Sequence, residues 1–580
     1  MSDINHAEFK TAYSIDRIFH AYLGHITQGL SPSALMLAGF DWWSHLLTAP
    51  AKQAELVQKS MRKMARIGLY ACKSTCTETC EDCIQPLSQD KRFNNPAWKK
   101  WPFNIIYQSF LLNQQWWHNA TTGIRGVSRH HEDAVSFAAR QLLDMFSPSN
   151  FLNTNPEIQQ LTYQQLGANL VRGWFNLTED WERTAGGRRP AGTENFKVGT
   201  DVAVTPGKVI YRNRLIELIQ YLPETDTVWK EPILIVPAWI MKYYILDLSP
   251  HNSLVKYLVG KGHTVFIISW KNPAADDRDL GMQDYLDAGV MSALKVITAV
   301  LPDSKVHAVG YCLGGTLLAI AAAAMARDDD DRIASITLLA AQTDFEEAGE
   351  LMLFIDESQV TFLEDVMWEQ GYLDTRQMAG AFQLLRSNDL IWSAMVRDYL
   401  RGERRPMTDL MAWNSDATRM PYKMHSEYLR KLFLNNDLAE DRYYVVDRPV
   451  AISDIRAPIF SVATIRDHVS PWKSVYKIHL LTDTEVTFLL TSGGHNAGIV
   501  SEPGHPGRSY QISTRSKDDK YLDPDNWLSG TEVHEGSWWP AWENWLAVKS
   551  TTMVSPPSFD TIHKGYKPVS DAPGTYVMVD

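Results

Sequence analysis

Long apolar runs are missing from this chain. No uninterrupted stretch reaches the roughly 18 residues that a membrane span needs, so none is expected. A basic excess is missing too: 56 Lys and Arg stand against 68 Asp and Glu, a net charge of −12. Without a concentrated basic face, no nucleic-acid partner is expected, and a cluster such as Arg401–Arg405 reads as solvated surface. "MSDINHAEFKTAYSIDRIF" carries acids where a signal peptide has its basic and apolar regions. A cytoplasmic location with reduced thiols is therefore expected. There is no P-loop, no Gly-x-Gly-x-x-Gly opening a strand-to-helix turn and no low-complexity tract. Neither a nucleotide cofactor nor a metal is called for.

Cysteine is scarce, with five in 580 residues, and four of them crowd one place: Cys72, Cys76, Cys80 and Cys83 in "ACKSTCTETCEDC". If that segment is helical, the spacing puts them along one face. Such thiols suit a soft metal or a cluster, but one straight helix face converges poorly on a tetrahedral site, and no second ligand pair stands nearby. A buried small-residue stripe or a redox-sensitive surface are the other readings. Tryptophan is plentiful instead. Among the 20 Trp are the pairs Trp42–Trp43, Trp116–Trp117 and Trp538–Trp539, which read either as core aromatics or as contact with something apolar.

The apolar period changes near residue 200. Before it, "PAKQAELVQKSMRKMARIGLY", "NIIYQSFLLNQQWW" and "EDAVSFAARQLLDMF" repeat at helical spacing, and a new helix starts near Asn155–Pro156. "RTAGGRRPAGTEN" (183–195) reads as a linker. After it, short β-branched runs alternate with helices: "KVIYRNRLIELIQYL", "PILIVPAW", "HTVFIISW", "KVHAVG" and "IASITLLAA", then "APIFSVAT" (457–464) and "EVTFLL" (485–490). Continuous apolar strands between helices predict a parallel sheet covered on both faces. The expected organisation is a mostly helical domain over 1–200 and an α/β catalytic domain over 201–580. A helix-rich cap is inserted into the latter at about 345–450.

Gly310-Tyr311-Cys312-Leu313-Gly314 fits the nucleophile elbow of the α/β-hydrolase fold, with Cys in place of Ser. A strand precedes it and an alanine-rich helix follows. The elbow predicts an acid and then a histidine downstream, each on a loop after a strand. Asp467 follows the strand at 457–464 and His495 the strand at 485–490. Asp344, after "ITLLAAQTDF", is the competing acid, and Asp467 is preferred because the acid of this fold comes from the later strand. His468 reads equally as a second active-site histidine or as a loop residue bonded to backbone. The oxyanion hole would pair the backbone N–H of Leu313 with one from residues 238–240, Trp239 and Ile240 being the candidates.

These residues resemble the polyhydroxyalkanoate (PHA) synthases, which polymerise 3-hydroxyacyl-CoA into storage polyester. The similarity runs over most of the chain. It includes "DKRFNNPAW" (90–98), "SPSNFLNTNP" (147–156), "TPGKVIYRNRLIELIQY" (205–221), "LIVPAWIMKYYILDLSPHNSLVKYLV" (234–259), "GYCLGGT" (310–316), "DLMAWNSD" (409–416), "RDHVSPW" (466–472), "SGGHNAGI" (492–499), "GSWWPAWENWL" (536–546) and "APGTYVMV" (572–579). The resemblance implies that Cys312 is the acylated nucleophile, His495 the general base and Asp467 the acid. The chain length and the Tyr-Cys-Leu box are similar to the short-chain, class I enzymes, which work without a partner subunit. "VPAW", where a Pro-Pro pair is common, and "VSEPGHPGRSY" after His495 depart from the family pattern. By resemblance the partners are 3-hydroxyacyl-CoA, the polyester granule surface, granule-coat proteins and a second copy in a homodimer, with location at the granule surface.

A thiol suits a thioester substrate. Attack by Cys312 yields another thioester, which keeps the acyl group activated for transfer to a 3-hydroxyl. Water competes for the same intermediate, and the 345–450 cap and the aromatic surplus suit its exclusion. A Cys-nucleophile hydrolase (thioesterase or polyester depolymerase) is the alternative, and a granule-bound scaffold with a dead site is the reading from another class.

Overall fold

The computed structural model describes residues 2–76, 81–375, 377–378, 380, 387–558 and 566–579, with side chains except at 2–13, 75, 76 and 389. The chain forms two compact units. One comprises Met1–His25, Gly192–Thr375 and Met407–Asp580, the other Ile26–Ala191 and Arg376–Pro406. The expected linear partition at 200 is thus interrupted twice. The N-terminal helix joins the sheet-bearing unit because Arg17 Nε and His20 Nδ1 meet the Asp365 carboxylate at 3.2 and 2.7 Å. Gly24 lets the same helix approach Val366 closely. Residues 376–406, expected as part of the cap, group with the helical unit, where Asn169 Nδ2 and Asn176 Nδ2 donate to the carbonyls of Leu400 and Asp398.

The sheet-bearing unit is built on eleven strands. In chain order they are β1 (Gly207–Arg212), β2 (Ile216–Tyr221), β3 (Ile233–Val236), β4 (Val265–Trp270), β5 (Val306–Tyr311), β6 (Ile333–Leu339), β7 (Ile459–Thr464), β8 (Val486–Thr491), β9 (Ser509–Arg515), β10 (Val533–Glu535) and β11 (Ser570–Asp571). Across the sheet they run β10-β9-β8-β7-β6-β5-β3-β4-β2-β1-β11. From β8 to β4 every neighbouring pair is parallel, and both flanks are antiparallel. Strands β3, β4, β5, β7 and β8 are buried at every position, the signature of a sheet covered on both faces. Each such Val, Leu or Ile contributes roughly 1.5–3 kcal/mol by leaving water. The helix Leu313–Arg327 is buried from Leu313 to Met325. Its run of alanines lets the helix axis approach the sheet, because larger side chains would hold the two layers apart.

Strands β9, β10 and β11 lie beyond the predicted set. β9 ("SYQISTR") is polar and mostly half-buried, so its place is fixed by pairing with β8, including a Thr487–Thr514 hydroxyl contact at 2.8 Å. Between β4 and β5 the helical turns Met282–Asp284 and Ser292–Val300 are joined by a π-helical stretch at Tyr285–Met291. Gly289 sits there against Trp270, where a Cβ would stand 2.5 Å from the indole ring.

The other unit carries the helices Pro32–Leu47, Pro50–Cys76, Phe103–Thr121, Arg129–Met145, Pro156–Gln164 and Ala168–Ala185. Asn155 caps the helix that begins with Pro156, accepting from the N–H groups of Glu157 and Ile158 as the Asn-Pro pair predicts. Phe93, Trp98, Tyr107 and Leu111 form an aromatic core. Cys83 lies beyond the helix Pro50–Cys76, in a loop, and so does not continue a helix face with Cys72. Ile84 is drawn onto the next helix by a reciprocal pair of hydrogen bonds with Gln108. Cys72 is exposed and Cys83 half-buried, while Cys80 lies outside the described residues.

Candidate active site

Cys312 stands between β5 and the helix Leu313–Arg327 with φ 52° and ψ −126°. A non-glycine residue there is strained, and the surroundings must enforce it. They do so through three glycines. A Cβ at Gly310 would lie 2.4 Å from Gly315 Cα, one at Gly314 would lie 2.2 Å from the Val236 carbonyl oxygen and 2.5 Å from that of Pro237, and one at Gly315 would lie 2.4 Å from Ala341 Cβ. The Cys312 N–H donates to Leu339 O at 2.9 Å, and its carbonyl accepts from Gly315 and Thr316 at 2.8 and 3.2 Å. The Leu313 N–H lies in the first helical turn, where N–H groups have no partner within the helix.

Asp467 follows β7 in a turn closed by its own N–H on Thr464 O at 3.1 Å. Its carboxylate is fully engaged. Oδ1 accepts from the N–H groups of Val469 and Ser470 at 2.9 and 2.8 Å, and Oδ2 accepts from Thr464 Oγ1 at 3.1 Å. Oδ2 also meets His495 Nδ1 at 2.8 Å. His495 follows β8, and its loop is tied to that of Asp467 by the Arg466 N–H on Gly493 O at 3.0 Å. Neighbouring parallel strands thus deliver the acid and the imidazole to one end of the sheet.

Burial alone would push the His495 imidazole down, but the Asp467 carboxylate, the Cys312 sulfur and hydrogen bonds to both raise it well above its usual range. Burial would likewise raise Asp467, yet the His495 charge and hydrogen bonds from His495, Ser470 and Val469 hold it below the usual carboxylate range. The two shifts describe one ion pair, with the Asp467 side chain fully shielded from solvent and that of His495 10% exposed. Tyr311, the residue before Cys312, is kept protonated by burial and by the nearby Cys312 and Asp467 charges.

Asp344 faces elsewhere. Its Oδ1 accepts from the Glu346 N–H at 2.9 Å and lies 3.4 Å from Lys477 Nζ. His468 is half-buried, its carbonyl beside Gly349. The loop with Trp239 and Ile240 crosses the elbow at Pro237, as the closeness to Gly314 requires. It is stitched to the later segment: the Thr418 hydroxyl donates to Trp239 O, the Thr418 N–H to Ile240 O, the Trp413 indole to Lys242 O and the Tyr244 hydroxyl to Asp416. Sequence reasoning did not single out Thr464, Tyr311, Asn414 or Asn496. For Tyr311 and Asn496 the available signal was adjacency to Cys312 and His495.

A strained thiol at the end of a central strand, with an Asp–His ion pair on the ends of two later parallel strands, defines a cysteine-bearing member of the α/β-hydrolase fold. Residues 231–501 match the family described as alpha/beta hydrolase fold. Residues 89–258 match the "Poly-beta-hydroxybutyrate polymerase (PhaC) N-terminus", and residues 10–52 match the "Poly-beta-hydroxybutyrate polymerase N terminal". A poly(3-hydroxyalkanoate) polymerase of Methylorubrum extorquens is 42% identical over 502 residues, 86% of this chain and 82% of the relative. A poly(3-hydroxyalkanoate) polymerase subunit of Rhizobium meliloti is 38% identical over 87% of this chain and 82% of its own. Its counterpart in Cupriavidus necator is 33% identical over 93% and 91%. The chain belongs to the poly(3-hydroxyalkanoate) polymerase family.

Proposed function

We propose that this protein is an acyltransferase that polymerises (R)-3-hydroxyacyl-CoA into polyhydroxyalkanoate and releases CoA, through an acyl thioester on Cys312. The observation that carries the reading is the Asp467–His495 pair, electrostatically coupled to Cys312, in a chain 42% identical to a polymerase of that polyester. With Nδ1–H held by Asp467, Nε2 is the nitrogen left to take the Cys312 proton. The thiolate attacks the substrate thioester carbonyl, the C–S bond to CoA breaks, and the CoA sulfur leaves with the proton from His495. In the second step the 3-hydroxyl of another acyl group gives its proton to His495 and attacks the Cys312 thioester. An oxygen ester forms, and the thiol of Cys312 is restored with that proton. Leu313, with Trp239 or Ile240, would supply backbone donors to the oxyanion at each tetrahedral stage. No metal or nucleotide cofactor enters this scheme.

The loop and cap contacts around Thr418, Trp413 and Met424 suit a site that must keep water from the intermediate. Exposed Val171, Trp174, Phe175 and Trp181 on the helix Ala168–Ala185 suit contact of the helical unit with an apolar granule. On this reading the enzyme works at the granule surface in the cytoplasm, with coat proteins or a second copy as further partners. Among the described residues, no helix is long and apolar enough to cross a membrane.

The test is to incubate the purified protein with 3-hydroxybutyryl-CoA and to follow thiol release and product together. Thiol release with insoluble polyester is expected. Thiol release with free hydroxy acid would establish the hydrolase alternative, and no release with any acyl length would mark the site as dead.

A further inference from the structure

Three elements of the site are joined by a chain of neutral hydrogen-bonding groups that the scheme above does not use. The phenol of Tyr311, on a residue 2% exposed, donates to Asn496 Oδ1 at 2.6 Å. Its ring lies 5.7 Å from that of His495. Asn496 directly follows His495, and its carbonyl accepts from the N–H groups of Ile499 and Val500 at 3.1 and 3.0 Å, so its backbone is fixed. The Asn496 amide oxygen is thus taken by the phenol. The amide Nδ2 then donates to Asn414 Oδ1 at 3.0 Å.

Asn414 ends the short helix Asp409–Asn414, in the segment stitched to the Trp239–Ile240 loop. That helix is anchored at its start and on its side. The Asp409 carboxylate accepts from Ser249 Oγ and Asn252 Nδ2 at 2.6 and 2.9 Å, and the Trp413 indole donates to Lys242 O at 2.7 Å. Its last residue is therefore held in place and reaches across to the histidine loop. The chain of groups runs from the buried Tyr311, past half-buried Asn496 beside His495, to exposed Asn414. It passes beside the imidazole, whose ring lies 5.7 Å from that of Tyr311. An amide suits position 496, because a carboxylate or ammonium directly beside His495 would displace its proton affinity by Coulomb interaction, whereas a charge at exposed Asn414 is screened by solvent.

We infer that Tyr311, Asn496 and Asn414 form a rim strap, in which Asn414 and Asn496 are positioning residues that hold the cap segment closed over His495 and keep water from the acyl group on Cys312. The strap therefore decides how much acyl-enzyme is passed to a 3-hydroxyl and how much is hydrolysed. This rests on the polymerase reading above. Its chemistry is a competition between two nucleophiles for one thioester: water gives free 3-hydroxy acid and the Cys312 thiol, whereas a 3-hydroxyl gives the ester and the same thiol.

The experiment measures the ratio of free 3-hydroxy acid to polyester at equal CoA release in the full chain with 3-hydroxybutyryl-CoA. Four proteins are compared: the unmodified enzyme, Asn414→Leu, Asn414→Asp and Tyr311→Phe. Asn414 is exposed and Tyr311→Phe keeps the ring, so both sites can be changed with the core left filled. Asn414→Leu and Tyr311→Phe should raise the ratio at least threefold. Asn414→Asp, which keeps an acceptor for Asn496 Nδ2, should return it to the unmodified value; a merely structural role would not give that pattern. If the unmodified protein makes polyester and the ratio is the same in Asn414→Leu and Tyr311→Phe, the strap is overturned and the polymerase reading stands. An Asn414→Asp ratio as high as that of Asn414→Leu would also overturn it. If the unmodified protein yields only free acid, both fall together.

Discussion

Replacing Asp467 by Asn changes one atom and tests the whole site. In the native enzyme Oδ1 accepts two backbone N–H groups, and Oδ2 accepts from Thr464 and faces His495 Nδ1. An Asn side chain must choose. If its NH2 turned toward Val469 and Ser470, two buried N–H groups would lose their acceptor, at about 1–3 kcal/mol each. The carbonyl oxygen therefore stays on those N–H groups, and the NH2 takes the place of Oδ2. It now donates to the imidazole, which must present a bare Nδ1 and carry its proton on Nε2, the nitrogen that faces Cys312. The base is blocked while the geometry survives. The equivalent change in Ser-His-Asp enzymes lowers turnover about 10⁴-fold, or roughly 5 kcal/mol of transition-state stabilisation. CoA release followed by a thiol reagent should show that loss in kcat for Asp467→Asn, with melting close to the parent's. Raising the pH should not restore it, because the tautomer and not the protonation level is wrong. Turnover within about tenfold of the parent would refute the assignment of Asp467 and the tautomer argument with it.

Cys312→Ala should fold normally and lose turnover by about 10⁶-fold, as removal of a nucleophile does elsewhere; mass spectrometry should detect no acyl adduct on it. Gly314→Ala pushes a Cβ into the carbonyls of Val236 and Pro237 at 2.2 and 2.5 Å. Both are backbone atoms that no rotamer relieves, so the cost should reach or exceed the roughly 1–3 kcal/mol of core overpacking, and a variant that melts with the parent would show the elbow to be loose. His307, His425 and His479 are each pushed down to about 4, first of all by burial. Their folded pKa lies below the unfolded value of about 6.5, so between those limits the unfolded chain binds more protons and stability rises with pH. Each should remove about 1.4 kcal/mol per pH unit as the pH falls from about 6.5 toward 4. Urea unfolding at two pH values in that window, with and without His425→Leu, should show the slope decrease by one proton; an unchanged slope would contradict the burial of a neutral imidazole there.

The sheet from β3 to β8 was legible because each strand is an apolar run with no polar side to confuse its period, and the elbow then fixed where an acid and a histidine had to follow. The edges were not legible, for a physical reason. β9 is held by strand pairing, and β11 is two residues long; neither carries a hydrophobic signal. Glu217 shows the same limit inside a recognised strand. It is fully buried in "IELIQY" because Arg212 and the backbone N–H groups of Thr575 and Tyr576 converge on its carboxylate, partners that lie hundreds of residues away for the latter two. The division of the chain failed to follow sequence order for that reason as well: a polar contact such as Arg17 and His20 on Asp365 leaves no periodic trace. Asn414 and Asn496 were invisible individually, since an amide in a loop is ordinarily a turn residue.

On the proposed mechanism, geometry at Cys312, His495 and Asp467 does not by itself separate a hydrolase from a synthase, because water and a 3-hydroxyl would attack the same carbonyl with the same base. Two features must make the difference. A thiol nucleophile would preserve the energy of an incoming thioester, so that the second step could run toward an ester. The cover must then make the hydroxyl the better-placed nucleophile, which only residues outside the triad can do. In this chain the Trp239–Ile240 loop hangs from Thr418 and Trp413, and the histidine loop is tied through Asn496 to Asn414. A single segment, 408–424, thus holds both the candidate oxyanion donors and the rim of the base. Loosening it should raise hydrolysis and weaken oxyanion stabilisation together, whereas an independent lid would shift hydrolysis alone. Measuring kcat and the acid-to-polyester ratio for Thr418→Val, which removes the hydroxyl at the oxyanion loop and leaves the strap untouched, distinguishes them. Movement of both quantities is expected, and a fall in kcat at a constant ratio would show that loop and rim are held separately.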